Sequence, residues 1–90
     1  MTESNDETLL EFPCEFAIKA FGRHGSAFEQ TVYTLVKAHV PELSMNDLSC
    51  RESSGGRYIA VTASITAQSR AQLDAIYKDL TDNEQVLMSL

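Results

Sequence analysis

The chain of 90 residues and 10.0 kDa has room for one small domain. Hydrophobic residues make up 43% and charged residues 22%, which argues against disorder, and no apolar run approaches the roughly 18 residues that a membrane span needs. Thirteen acidic and seven basic residues give a formal net charge of −6, so neither nucleic acid nor an anionic membrane is an expected partner.

Residues 1–8 are predicted to be a disordered acidic tail, followed by a single domain over residues 9–90. Glu3, Asp6 and Glu7 add three negative charges, and no positive start precedes an apolar stretch, as it would in a signal peptide. The two cysteines are expected to be free thiols in a reducing compartment. Together these features predict a cytoplasmic protein.

Deletion of residues 1–8 is expected to leave the melting temperature nearly unchanged, because a polar segment without an apolar anchor buries little surface. Calorimetry of the full-length and truncated chains measures the difference. A loss of several degrees would show instead that the tail packs against the domain.

The first half of the domain is predicted to be a strand followed by a helix. Apolar side chains alternate over residues 14–21, which indicates a strand with Ile18 on its buried face. A capping box at Ser26–Glu29 predicts the start of a helix, whose apolar stripe continues to His39 before Pro41 ends it.

The second half is predicted to contain two strands, a helix and a final strand. A weak edge strand is expected around Leu48–Arg51, and the turn at Ser53–Gly56 leads to a strand with regular alternation at residues 58–66. A second capping box, Ser69–Gln72, opens a helix, and residues 85–90 form a last short strand.

This order favours an α+β fold, the ferredoxin-like βαββαβ two-layer sandwich with an antiparallel sheet of order 4-1-3-2. Two helices with one apolar stripe each must cover one face of a four-stranded sheet, so the other face is left thinly covered. The residues predicted to form the core are Phe16, Ile18, Phe28, Val32, Leu35, Val36, Ile59, Val61, Ile65, Leu73, Ile76, Leu80, Val86 and Met88.

Four short segments together resemble the bacterial YbeD-like family. They are residues 9–13 (LLEFP), 37–41 (KAHVP), 53–58 (SSGGRY) and 86–90 (VLMSL). The resemblance covers residues 9–90 and implies a small cytoplasmic protein of uncharacterised function, with a ferredoxin-like fold similar to the ACT regulatory domains of amino-acid enzymes. It also implies a regulatory role in the lipoate pathway.

The loop Gly22–Ser26 is the candidate ligand-binding site. Arg23 and His24 lie between glycines directly before a helix N-terminus, where Gly25 and Ser26 would present amides to an anion. In ACT domains the equivalent loop contacts an amino-acid effector, but the Asp-x-Pro-Gly signature common there is absent. The alternatives are a weak site for a small carboxylate or phosphate and an ordinary turn.

The thinly covered face of the sheet is the candidate interaction surface. Lys19, Phe21, Tyr58 and Thr62 are predicted to lie there. An aromatic pair on a sheet is also typical of RNA-recognition motifs, but their signature sequence is missing and the net charge is negative. The face therefore favours a protein partner or a second copy of the chain.

No catalytic or metal site is predicted, and no cofactor. Arg23 and Asn46 could be the catalytic pair of an acylphosphatase, which has this fold, but the phosphate-binding loop of that family is absent. Cys14 and Cys50 fall on strands separated by a third, too far apart for a disulfide. The favoured interpretation is a non-enzymatic regulatory or protein-interaction module; the alternatives are an ACT-like sensor of a small anionic metabolite and, less favoured, an acylphosphatase-like enzyme.

Overall fold

The computed structural model describes residues 10–25 and 27–90, so the predictions for the tail and for Ser26 fall outside it. The helices and strands follow the predicted order. They are β1 (Cys14–Arg23), α1 (Phe28–Lys37), a 3₁₀ turn (Met45–Asp47), β2 (Leu48–Glu52), β3 (Tyr58–Ala67), α2 (Arg70–Asp82) and β4 (Met88–Ser89).

The four strands form one antiparallel sheet in the order β2-β3-β1-β4, which is the predicted 4-1-3-2 arrangement. The two central strands pair over ten residues, from Cys14 opposite Ala67 to Arg23 opposite Tyr58. β2 and β4 are the edge strands, since each pairs with one neighbour only. The fold class is therefore confirmed as ferredoxin-like α+β.

The core lies between the sheet and the two helices, which cover the same face. Most of the predicted core residues are buried, and Phe16, Leu35, Ile59 and Val86 are partly buried against them. The structure adds further apolar residues to the core: Ala20, Val40, Leu43, Leu48, Ala63 and Ala67. Within the described ranges, no helix has the length and apolar character that a membrane span requires.

Met88 was predicted to be buried, and that prediction is wrong. Its side chain is 52% exposed, and its Cα pairs with that of Phe21, on the sheet face away from the helices. The alternation from Val86 does not continue through Met88, because the Val86 N–H bonds to the Asn83 carbonyl in a turn and β4 begins only at Met88.

The two helix starts differ from the predicted capping boxes. The N-cap of α1 is Ala27, in the left-handed region at φ 56°, and no side chain caps it. At α2 the Ser69 hydroxyl accepts a hydrogen bond from the Gln72 N–H at 3.1 Å, as predicted. The Gln72 amide oxygen accepts from the Gln68 N–H rather than from that of Ser69, so only half of the second box forms.

His39 lies just beyond the end of α1 rather than within its apolar stripe. Its Nε2 is 2.6 Å from an Asp79 carboxylate oxygen on α2, so the ring joins the two helices. Lys37, in the last turn of α1, holds the segment that follows the helix: its ammonium donates to the carbonyls of Pro41 and Leu43 at 3.0 and 2.8 Å.

Candidate functional site

The sheet face opposite the helices carries the four predicted interaction residues. Residues directly opposite each other on neighbouring strands point to the same face. Phe21 pairs with Ala60 on β3, and Lys19 pairs with Thr62. Tyr58 lies two residues from Ala60 along β3 and therefore on this same face.

Both edge strands extend this face. On β4, Met88 pairs with Phe21, and Leu90 exchanges two backbone hydrogen bonds with Lys19. On β2, Arg51 pairs with Ala60. We call the resulting surface the open-face patch: Lys19, Phe21, Arg51, Tyr58, Ala60, Thr62, Met88 and Leu90.

The open-face patch is rich in exposed apolar side chains. Among the described residues five large apolar side chains are exposed, and three of them belong to the patch: Tyr58 at 42%, Met88 at 52% and Leu90 at 62%. Phe21 is half-buried between them. Contiguous exposed apolar surface of this kind is typical of a contact site for another molecule.

The charge of the patch is opposite to that of the protein. Lys19 and Arg51 are exposed, and neither forms an ion pair with the described residues. None of the eight patch residues is acidic, whereas the whole chain has a formal net charge of −6. The nearest acid in the lining of its grooves is Glu52, whose carboxylate lies 2.9 Å from Nε2 of His24. Its cations are therefore available to a partner.

Two adjoining grooves cross the patch. One, of about 540 Å³, is lined by Lys19, Arg51 and Thr62 among others, and the second, of about 260 Å³, is lined by Tyr58. Phe21, Arg51 and Ala60 line both grooves. The surface is thus divided into a cationic part and an aromatic part with a common wall.

The loop before α1 has a different geometry from the predicted ligand site. Arg23 is the last residue of β1 and pairs with Tyr58, which places it at the end of the open face. His24 is engaged within the chain: its Nε2 lies 2.9 Å from a Glu52 carboxylate oxygen, and its N–H donates to the Arg57 carbonyl. Gly25 adopts φ 94° in the turn, and Ser26 is outside the described residues.

The structure does not bring the acylphosphatase-like pair together. Arg23 is level with Tyr58 at one end of β3. Asn46 lies in the 3₁₀ turn just before Leu48, which pairs with Ala63. Five residues of β3 at about 3.3 Å each separate those two levels of the sheet.

Both cysteines are free, as predicted, and β3 lies between their strands. Cys50 is on the helix side of β2, where desolvation, a hydrogen bond with the Glu29 side chain and the charge of that carboxylate raise its pKa from 9.0 to about 11. The described residues include no group of three His, Cys, Asp or Glu side chains that could hold a metal ion.

Alkylation of Cys50 by iodoacetamide at pH 8 is expected to be about tenfold slower than that of a model thiol. The raised pKa lowers the thiolate fraction by about a hundredfold, and the higher nucleophilicity of a more basic thiolate offsets part of that loss. Its rate should therefore still increase above pH 10, since the thiolate forms only as the pH approaches 11.

Replacing Glu29 by glutamine removes the negative charge, so the midpoint of the rate profile should fall below pH 11; desolvation, the largest cause of the raised pKa, remains. The measurement is made in a Cys14→Ser background, where only Cys50 reacts. An unchanged midpoint would contradict the assigned role of Glu29.

Four residues of the open-face patch were not predicted from the sequence: Arg51, Ala60, Met88 and Leu90. The signal that could have placed Arg51 on this face is its alternation with Cys50 along the predicted edge strand. The face of Met88 and Leu90 depends on the register of β4 with β1, for which a two-residue strand gives no periodic signal.

The chain is similar to known proteins over nearly its whole length. Residues 7–90 match a family model described as "Protein of unknown function (DUF493)". A "UPF0250 protein" of Chromobacterium violaceum is 44% identical over 90 residues, covering 100% of both chains, and one of Nitrosomonas europaea is 40% identical over 85 residues, covering 94% of this chain and 98% of its own. The solution structure of protein HP0495 from H. pylori aligns with a TM-score of 0.68 over 90% of this chain and 85% of its own, at 11% identity, and so shares the fold.

Proposed function

This chain belongs to the DUF493 family of proteins of unknown function, in agreement with its YbeD-like resemblance, and we propose that it is a non-enzymatic protein-interaction module. Its open-face patch is the contact surface. The observation that carries this proposal is the concentration of exposed Tyr58, Met88 and Leu90 around Phe21 on the sheet face that no helix covers.

An interaction module explains this arrangement better than an enzyme does. Exposed apolar side chains add no stability to an isolated domain, but they contribute when a partner removes them from water. The cations beside them restrict which partners bind, because charged groups at an interface contribute more to specificity than to affinity. The one catalytic pair that the sequence suggested is separated along the sheet.

Site-specific photo-crosslinking tests the proposal in the native cell. A p-benzoylphenylalanine side chain placed at Tyr58 is expected to give discrete crosslinked products, since it replaces one exposed aromatic group by another. The same group at Lys78, exposed on the outer face of α2, is the matched control. Equal labelling at both positions would contradict the patch as the contact surface.

The size of the product distinguishes the two kinds of partner. A crosslinked species at twice the mass of the chain indicates a second copy, whereas any other mass indicates a different protein. Sedimentation of the purified chain measures its mass in solution independently, since the apparent mass of a self-associating domain changes with concentration.

The anion sensor is the second candidate, and its site would be the loop before α1. The backbone amides at the start of α1 favour it. The pairing of His24 with Glu52 disfavours it, because that histidine already has a carboxylate partner.

Titration with phosphate and small carboxylates tests the sensor directly. If the loop binds an anion, the amide shifts of residues 22–28 move with a dissociation constant of about 1 mM, and Arg23→Ala weakens the response without changing stability. Flat shifts at tens of millimolar of anion would show that the loop is only a turn.

A further inference from the structure

We propose that the open-face patch binds an acidic segment of a partner protein, in which an apolar side chain lies next to one or more carboxylates. This inference rests on the proposed function and specifies the chemistry of the partner. The apolar side chain occupies the groove beside Tyr58 and Phe21. The carboxylates lie over Lys19 and Arg51.

The charges of the patch favour a negatively charged partner. Lys19 and Arg51 are exposed, with no ion pair to the described residues, in a protein that has nearly twice as many acidic as basic residues. The two cations of α2 are differently placed, because Arg70 and Lys78 each have an aspartate partner one turn away. Lys19 and Arg51 are thus complementary to a negatively charged partner.

The two grooves indicate which side chains the partner must present. The Tyr58 groove has apolar walls at Phe21, Ile59 and Ala60, and Arg51 stands between it and the groove of Lys19. Glu52 and Ser53 complete its lining, and the Glu52 carboxylate is paired with His24 at 2.9 Å. An occupant of both grooves therefore needs an apolar side chain and an acidic group a short distance apart. An Arg guanidinium at the common wall offers a carboxylate two parallel donors.

A protein segment fits this surface better than its competitors. A second copy packed patch to patch about a twofold axis would bring Lys19 and Arg51 towards the same cations of the other copy. The phosphates of a nucleic acid would be attracted by only two cations here, and the acidic remainder of the domain would repel them. A short acidic peptide is small enough to bind through the local positive charge of Lys19 and Arg51 alone.

The probes are two pools of labelled ten-residue peptides, measured with the full-length protein by fluorescence polarisation. In the first pool, one Leu, Phe or Trp is flanked by Asp and Glu; in the second, Asn and Gln replace the acids. The acidic pool is expected to bind at least tenfold more tightly at 50 mM salt, with the difference shrinking at 500 mM because salt screens exposed charges.

Charge reversal assigns the site. Lys19→Glu and Arg51→Glu are each expected to weaken binding of the acidic pool at least tenfold, whereas Lys78→Glu, with the same change in net charge, leaves it unchanged. The melting temperatures of the three variants should stay close together, since all three side chains are exposed.

Several results would overturn the inference. They are equal binding of the two pools, loss of binding with Lys78→Glu as large as with Arg51→Glu, and displacement of the acidic pool by a uridine decamer. Self-association that Arg51→Glu abolishes would also overturn it, in favour of a second copy. If crosslinking at Tyr58 persists in the Lys19→Glu and Arg51→Glu variants, the interaction surface stands and only the acidic partner fails.

Discussion

Replacing Phe28 by alanine is expected to lower the free energy of unfolding by about 3–5 kcal/mol, the range for removal of a fully buried aromatic side chain. Phe28 is 2% exposed and is the largest of the fully buried side chains among the described residues. It lies in the first turn of α1 and contacts the sheet at Gly22 of β1. The substitution therefore leaves a cavity where α1 meets the sheet.

Urea denaturation followed by circular dichroism measures the loss. Phe21→Ala is the matched control, because the same atoms are removed from a half-buried position on the open face and a smaller loss is expected. Phe28→Leu provides a milder variant, since a small domain has only about 5–15 kcal/mol of stability in total. Equal losses at positions 21 and 28 would contradict the packing described for α1.

Replacing Gly22 by alanine is expected to destabilise the protein by about 1–3 kcal/mol, as overpacking of a core does. A β-carbon at this position would lie 2.5 Å from Cε1 of Phe28, closer than real contacts allow. The ring and helix α1 would have to move. Gly55→Ala is the control, since no heavy atom lies within 4 Å of its β-carbon position.

The two core substitutions should be coupled. Gly22→Ala in a Phe28→Leu background is expected to lose less stability than it does alone, because the smaller side chain leaves room for the added methyl group. A double-mutant cycle measures that difference. Strict additivity would mean that strain elsewhere in β1, rather than the Phe28 ring, accounts for the effect of Gly22→Ala.

The fold could be predicted because the hydrophobic periodicity of the strands and helices agrees with the positions of the turn residues between them. The alternation over β1 and β3 assigns each residue to a face, and the stripes of the two helices require one common face to cover. Strand order then follows from the handedness and shortness of connections. Alternation, helix stripes and connection lengths can all be read without knowing which residues distant in sequence are in contact.

The predictions that proved wrong depend on such distant contacts. The pattern at Ser26–Glu29 predicts that α1 begins at Ser26, but the N-cap is Ala27, and the Glu29 side chain meets Cys50 across the helix-sheet boundary. His39 follows the spacing of the α1 stripe, but its partner is Asp79, 40 residues away on α2. A local pattern contains no information on a partner of that kind.

The candidate site was partly predictable for the same reason. Lys19 and Phe21 share a face by the alternation of β1, and Tyr58 and Thr62 by that of β3. The contribution of the two edge strands was not predictable, because β2 is short and β4 has only two residues. The cationic character of the patch became visible only when Arg51 was placed opposite Ala60.

The position of Leu90 determines how interaction screens with this protein should be designed. Leu90 is hydrogen-bonded to Lys19 at the edge of the patch, and its carbonyl also accepts from the Tyr77 hydroxyl at 2.7 Å. An affinity tag or reporter domain fused after Leu90 would emerge beside the contact surface and shield it. Leu10, the first residue that the structure describes, packs instead beside α2 on the helix side of the sheet.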